Sequence, residues 1–293
     1  SNLRSTNLSH ADLRGASFRG ASLSNATLDN ADMRAAVMMF AKPVGDGISI
    51  LDRSKAKQSD NQAIGVDFSN CSMKNVSLGN AKLNGANFSG AILHGANFRG
   101  AQLPNVNLEG AILTGVAMND LVVPPAALKG CITDVSPEIA ARAEILKAAI
   151  ETHQQWIAAD GAQGRAAVLD GEDLRPLQQF FTGRPLTALS ARNSIGIGVS
   201  FAGCQLQAAR FDGADLRDAD FTGADLRGVS FAGAKLSHAR FDRANMAALQ
   251  LANGNTLAPN LTSALATAEQ FILATVDGSL ASFGLAAEGV ESA

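Results

Sequence analysis

Apolar residues recur every five positions along this chain. Residues 81–115 read AKLNG, ANFSG, AILHG, ANFRG, AQLPN, VNLEG and AILTG. The middle residue of each unit, its centre, is Leu or Phe, and the residue two before it is small, usually Ala. Centres fall at Leu3, Leu8, Leu13, Phe18, Leu23, Leu28, Met33 and Met38 in a first run. A second run goes in steps of five from Phe68 to Leu128, and a third from Phe201 to Leu251. All 32 centres are apolar, which chance does not produce. A helix wants a period of 3.6 and a strand a period of 2, so five fits neither over long stretches. It fits a backbone that turns a corner every five residues and sends one large and one small apolar side chain inward per unit. The other positions carry Asp, Asn, Ser, Arg and Gly, which suit solvent and tight turns. Such a backbone winds into a solenoid whose coils bury their apolar side chains against their neighbours.

The units ADLRG at 11–15, ANFSG at 86–90, ADLRD at 214–218, ADFTG at 219–223 and ADLRG at 224–228 follow the pattern A(D/N)LXX. On these motifs the chain resembles the pentapeptide-repeat family. The resemblance implies an all-β solenoid, a right-handed quadrilateral β-helix with four units per coil, here in two blocks with a few α-helices between them and at the C-terminus. Coils would stack at about 4.8 Å, the spacing of paired strands. It implies a fold and no particular role. Four units per coil place residues 20 apart on one wall. Phe201, Phe221 and Phe241 then share a wall, Phe211 and Phe231 the opposite one, Leu206, Leu226 and Met246 a third, and Leu216 and Leu236 the fourth. Rings at that spacing suit offset stacking.

The interruptions divide the chain. Residues 1–133 form an N-terminal block with a loop insertion at 41–63, where Pro43, Gly45, Gly47 and a polar tail break the pattern. The units resume at Phe68 in the same phase. A projecting loop on a rigid scaffold is a frequent place for function, and this one reads equally as a binding loop or a neutral insertion. Residues 134–163 hold a helix at 136–159, with Ser136 as N-cap, Pro137 in the first turn and Asp160-Gly161 as the stop. That helix covers the end of the second run or joins two solenoids. Residues 164–258 form a C-terminal block. It resumes weakly at Leu169 and Leu174 in a shifted phase, is irregular over 176–198, and is regular from Phe201. The phase shifts favour two β-helical blocks over one tower. Residues 259–293 hold a helix near 262–276, capped by Thr262 or Asn260, and an apolar tail that caps the third run or makes a dimer contact.

Candidate chemistry is sparse. Cys71, Cys131 and Cys204 sit in the phase of the small inward position, as small hydrophobes, and their odd count and wide spread argue against a disulfide framework. His10, His94, His153 and His238 show no metal-ligand spacing. His10, His94 and His238 take outward positions, and His153 lies beside Trp156 on the helix as a packing residue. Gly196-Ile197-Gly198 has two glycines of a dinucleotide fingerprint but leads into the solenoid and reads as a flexible entry to the third run. The glycosylation-type triplets at Asn7, Asn25 and Asn75 arise from the repeat itself. Asp215, Asp220 and Asp225 fall on different walls and read as surface residues, several beside an Arg. No catalytic, cofactor-binding or metal residue is assigned, and no cofactor is expected.

Composition bounds the partners. The formal net charge is −3, charged residues are 17% and aromatic residues 5% of the sequence, and Tyr is absent. Near neutrality argues against direct nucleic-acid binding by bulk charge. No apolar run approaches the roughly 20 residues a membrane span needs. Residues 1–20 lack an apolar signal region, so a cytoplasmic location is expected, and the start at Ser1 leaves room for preceding residues. Three functions compete. The first is a non-catalytic scaffold with an unidentified protein partner, with homodimerisation through the C-terminal segment implied by resemblance. The second is a DNA-mimicking topoisomerase (gyrase) inhibitor or protector, which wants a strongly negative rod; residues 199–251 carry balanced Arg/Lys and Asp. The third, an enzyme with a cleft at His153, has no positive support.

Overall fold

Each five-residue unit makes one rung and one corner. In the structure, a computed structural model that describes residues 1–18, 21–37 and 65–285, the residue before each centre forms a parallel bridge to the next coil, as in Asn2↔Ser22, Asn7↔Thr27 and Asp12↔Asp32. The N–H of the centre also reaches across, as Leu8 N does to Thr27 O at 2.7 Å. The fifth residue closes the corner with positive φ, which explains why Asn or Gly stands there, for example Asn25 at 59° and Gly15 at 66°. At Gly90 space is limiting as well, because a Cβ would come within 2.3 Å of the Asn70 Oδ1 one coil away. The loop expected at 41–63, the centre Met38 and residues 286–293 of the tail lie outside the described residues.

The protein divides into two units, Ser1–Asp134 and Val135–Ala293. In the first, bridges join residues 20 apart, except where Ser22 pairs with Asp67, Thr27 with Ser72, Asp32 with Ser77 and Val37 with Lys82, each 45 apart. Regular bridging stops at Ile112↔Ile132. Beyond it the expected centres Met118, Val123 and Leu128 are not rungs. Pro124 and Pro125 lack the N–H a rung needs, and the segment forms 3-10 turns at Met118–Asp120 and Pro125–Leu128. Met118 is consequently 39% exposed, while Val123 and Leu128 pack against the core only in part.

The second unit opens with two helices, α1 (Pro137–Ala141) and α2 (Ala143–Ala158), instead of the single helix expected. Ser136 caps α1, its hydroxyl accepting from Ile139 N at 3.3 Å. Leu146 and Ile150 of α2 are buried in one core with Leu169, Leu186 and Phe201. The helix therefore belongs to this unit. Coils begin at once: Val168 pairs with Ser190 and Asp173 with Ile195, 22 residues apart, and from Pro185 onward partners are 20 apart. The two additional residues fall around the 3-10 turn Arg175–Leu177 and cause the phase shift. Residues 176–198 are thus not irregular throughout, since Pro185, Ser190 and Ile195 are rungs. Nor is Gly196 a flexible entry: it takes a buried centre, and a Cβ there would lie 2.8 Å from Leu216 Cδ2.

Near the C-terminus the spacing lengthens again. Ser230 pairs with Asn260, and β1 (Asn245–Met246) with β4 (Thr275–Val276). The additional residues form a hairpin of β2 (Leu249–Gln250) and β3 (Thr256–Leu257). Leu251, in phase with the centres, lies in this hairpin and is 38% exposed. The helix expected near 262–276 is another coil, with a 3-10 turn at Ala268–Phe271. Leu261, Ala266, Phe271 and Val276 keep the five-residue spacing, and that inward pattern overrides the helical one.

Two ring ladders fill the second unit. Phe181, Phe201, Phe221, Phe241 and Phe271 stack with successive centroids 5.0, 5.1, 5.2 and 4.5 Å apart. Phe211 and Phe231 stack at 5.5 Å on the other wall. The ladders meet edge to face, with Phe221 5.9 Å from Phe211 and 5.4 Å from Phe231. This is the arrangement aromatic quadrupoles favour.

Candidate interaction surface

The outer surface follows from the rung. Residues on either side of an inward centre both point outward. An Asp before the centre accepts from the backbone N–H after it, as Asp225 Oδ1 does from Arg227 N at 3.3 Å. When that second residue is Arg, its guanidinium folds back on the same carboxylate. Nη2 to Oδ2 is 2.6 Å in Arg14–Asp12, Arg34–Asp32 and Arg175–Asp173, 2.7 Å in Arg227–Asp225 and 2.5 Å in Arg217–Asp215. Such paired, charge-assisted bonds are the strong kind. Hydrogen bonding from Arg14 holds the Asp12 carboxyl down at about 2, and Arg34 lowers Asp32 in the same way.

Many charges are therefore paired within a unit, and others between coils, as in Arg192–Asp170 at 2.6 Å. Arg240 lies 3.2 Å from Asp242 and 3.8 Å from Asp220 one coil away. In the first unit an amide ladder runs along one wall, with Asn107 donating to Asn87 and Asn87 to Asp67, each at 3.0 Å. Burial sorts the pairs. Asp12 and Arg14 have side chains 61% and 57% exposed, whereas Asp215 and Arg217 have 11% and 2%. The reading of Asp215 as a surface carboxylate is corrected by this burial; Asp220 and Asp225 are half-buried.

The other sequence candidates fall into structural places. Cys71 and Cys204 are buried and donate to Leu23 O at 2.7 Å and Phe181 O at 2.8 Å; the half-buried Cys131 donates to Leu108 O at 3.0 Å. Burial raises the Cys71 thiol well above its usual range and pushes Cys204 up to about 11, which suppresses thiolate chemistry. His10 and His94 are exposed, His94 Nδ1 lying 2.9 Å from Thr114 Oγ1, and His238 is half-buried. His153 is fully buried, stacks on Trp156 at 5.6 Å and accepts from Ala167 N at 3.0 Å. Asn7 Oδ1 is engaged with Ser9 N at 3.0 Å, and Asn25 and Asn75 turn corners at φ 59° and 54°. Among the described residues no group of His, Cys, Asp and Glu is placed to hold a metal ion, and no helix is long and apolar enough to cross a membrane.

A family model described as pentapeptide repeats matches in eight copies over residues 1–38, 64–100, 91–120, 197–231, 209–246 and 224–254. The chain belongs to the pentapeptide repeat family. Among solved structures it is similar to HetL, a pentapeptide repeat protein involved in heterocyst differentiation regulation from the cyanobacterium Nostoc sp. strain PCC 7120. Identity is 18%, covering 94% of this chain and 86% of that one, with a TM-score of 0.30. QnrB1, a plasmid-mediated fluoroquinolone resistance protein, aligns at 13% identity over 92% of each partner in the alignment, with a TM-score of 0.20. Rfr23 from the cyanobacterium Cyanothece 51142 aligns at 26% identity over 45% of this chain and 87% of that one, with a TM-score of 0.19. No curated protein matches this sequence. Residues 121–196 fall outside the pentapeptide repeat matches, yet Val168, Asp173, Pro185, Ser190 and Ile195 are rungs. Sequence reasoning placed weak units at Leu169 and Leu174, and so the rungs Val168 and Asp173, but missed Pro185, Ser190 and Ile195, the hairpin, and Phe181 and Phe271 as ladder ends. Phe271 was findable, standing in phase two units after Leu261.

Proposed function

We propose that this pentapeptide repeat protein is a non-catalytic scaffold whose outer faces bind a protein partner. The observation that carries the reading is the pairing of outward Arg and Asp within a unit, as in Arg14–Asp12 and Arg227–Asp225, or with the neighbouring coil, as in Arg192–Asp170 and Arg240–Asp220. It leaves rigid faces of paired ions and amide ladders in place of a stripe of one sign. A nucleic-acid binder needs unpaired Lys and Arg along a groove, and a DNA mimic needs unpaired carboxylates in a row. A backbone held coil to coil presents its side chains already ordered, which lowers the entropy lost on association. Repeat solenoids are suited to such extended recognition.

The test is affinity capture from native-cell lysate with the full-length protein, with a double variant Arg14→Glu/Arg34→Glu that inverts one exposed face, and with an unrelated solenoid. A partner retained by the native protein, weakened by the face variant and absent from the control supports the reading. Identical captures by all three overturn it. A gyrase supercoiling assay is expected to show neither inhibition nor protection. The proposal includes a cytoplasmic location, to be checked by fractionation. It also includes a homodimer through the last coil, where Ile272 and Leu273 are 73% and 65% exposed; light scattering that gives a monomer mass across concentrations removes the dimer.

A further inference from the structure

The dipeptide Asn-Gly occurs twice, as Asn84-Gly85 and Asn253-Gly254, in unlike settings. Asparagine is among the chemically labile residues, and a following glycine, lacking Cβ, leaves its own amide nitrogen open to approach. The Gly N–H loses its proton to hydroxide, and the nitrogen bonds to the Asn Cγ. The bond from Cγ to Nδ2 breaks, and ammonia leaves after taking a proton from water. The resulting succinimide is opened by water at either carbonyl, giving aspartate or isoaspartate. Water is the only reagent consumed, and no oxidant or enzyme is required.

At Asn84 this path is closed. Gly85 N donates to Pro104 O of the next coil at 2.9 Å. The flanking Leu83 and Ala86 are fully buried in the core, and Asn84 Oδ1 is itself buried. Reaching the ring geometry there means opening a coil. At Asn253 the surroundings are different. Residues 251–258 are all exposed. The hairpin is short: two residue pairs, Leu249↔Leu257 and Gln250↔Thr256, a backbone bond from Leu251 N to Asn255 O at 2.8 Å and a side-chain bond from Thr256 Oγ1 to Gln250 Oε1 at 3.2 Å. Gly254 N bonds only within the turn, to Leu251 O at 2.9 Å, and nothing lies within 4 Å of where a Cβ on Gly254 would be. Asn253 Oδ1 accepts from Asn255 N at 3.0 Å, which folds the side chain back along the main chain beside the attacking nitrogen. Short, solvated hairpins open at little cost, whereas coil opening approaches the cost of unfolding the unit.

We propose that Asn253 is a spontaneous modification site, converted to aspartate and isoaspartate in the folded protein while Asn84 is protected. Isoaspartate adds a methylene to the main chain at the tip joining β2 and β3, and both products add a negative charge. The change disturbs the register that lays Leu249 and Leu257 over Gly228, where a Cβ would come within 3.1 and 3.0 Å of them. The coils beneath keep their bridges.

The experiment is peptide mapping by mass spectrometry of the full-length protein during incubation in mildly alkaline buffer, folded and in denaturant. Isoaspartate is read by its methyltransferase. In the folded protein the Asn253 peptide should convert at least about tenfold faster than the Asn84 peptide, and denaturant should bring the two rates together. Asn253→Gln should remove the fast conversion and leave the melting midpoint unchanged. Equal rates in the folded protein, or an Asn253 rate that denaturant raises as strongly as that of Asn84, overturn the proposal.

Discussion

The two units use one repeat and fill it differently. In the first, the rings form a single stack, Phe68 on Phe88 at 5.0 Å with Phe98 edge-on to Phe88 at 6.4 Å, and most other centres are aliphatic. In the second, two ladders interlock, and the longer one is finished at its ends by Phe181 and Phe271, which keep its phase but lie outside the regular run from Phe201 to Met246. The backbone ladder is the same in both. The difference lies in how strongly one side chain depends on its neighbours. An aliphatic centre can shift into a gap, whereas a ring held on both faces and both edges cannot. The second unit should therefore be the less forgiving of core substitution.

The sharpest test removes the most constrained ring. Phe221 is fully buried and contacts Phe201, Phe241, Phe211 and Phe231. Phe221→Ala should cost about 3–5 kcal/mol by cavity formation, and Phe68→Ala, with one ring neighbour, should fall at the low end of that range. Urea unfolding of the full-length protein followed by far-ultraviolet dichroism measures both. Equal losses would erase the distinction between the units.

Next in size is the buried ion pair. Asp215→Ala leaves the guanidinium of Arg217 enclosed at 2% exposure, and breaking such a pair from one side costs about 3 kcal/mol. The same chemistry on the surface of the first unit should cost far less. Chemical denaturation reports the loss. Replacement of both partners by apolar residues of similar size should recover much of it.

A smaller effect is expected at Gly196→Ala. The added methyl would meet Leu216 Cδ2 at 2.8 Å. Overpacking of this kind costs about 1–3 kcal/mol, measurable as a lowered thermal midpoint. An unchanged midpoint would mean that Leu216 moves aside and that this wall is looser than the ring walls.

Gly196 also marks what the sequence could and could not convey. The repeat is legible because one large and one small inward residue recur every five positions, and that rule alone yields the coil, the walls and the ring ladders. Insertions are legible only when they break phase. The two additional residues near Arg175 shift the phase, so Leu169 and Leu174 read as weak although they are buried centres. The hairpin after Met246 adds a multiple of five and hides itself, so Leu251 reads as a centre although it is exposed. Burial of Asp215 and Arg217 was not legible either, because their unit, ADLRD, differs little from the exposed ADLRG at 11–15. Wall identity comes from position modulo 20, and what covers a wall is written elsewhere in the sequence.

The helix gives the second unit a buried histidine, which the first lacks among its described residues, and with it a pH response of its own. Burial lowers the His153 pKa in the folded state, and its Nδ1 already accepts the Ala167 N–H, so protonation there would set two donors face to face. In the unfolded state the imidazole has its ordinary value near 6.5. The unfolded state therefore binds the proton more readily. The stability contributed by neutral His153 is fully present above about pH 6.5 and is lost as pH falls toward the lowered folded value. Hydrogen bonding to the backbone of Leu186 and Thr187 favours the charged imidazole and opposes this lowering in part, but burial is the larger effect. Melting against pH should show an acid-side decline that His153→Gln flattens, with the neighbouring Trp156 as fluorescent reporter. An identical decline in the variant would assign the effect to the carboxylates.

The smallest expected change completes the contrast. Arg14 and Asp12 form the same paired geometry as Arg217 and Asp215, at nearly the same distance, but with more than half of each side chain in water. Water already solvates both ions, so little is lost when one is removed, and salt screens what attraction exists. Arg14→Ala should leave the unfolding midpoint unchanged within error at physiological salt. Asp12 should meanwhile titrate closer to an ordinary carboxylate than at its present value of about 2, a shift that NMR of the side-chain carboxyl reads directly. The pKa is thus expected to respond more visibly than the stability, because an exposed pair two residues apart in sequence keeps part of its attraction in the unfolded chain, and only the difference between the two states counts toward folding. If Arg14→Ala lowered the midpoint as far as Asp215→Ala does, burial would not be what separates the two pairs. The outer pairs would then be part of what holds the solenoid together.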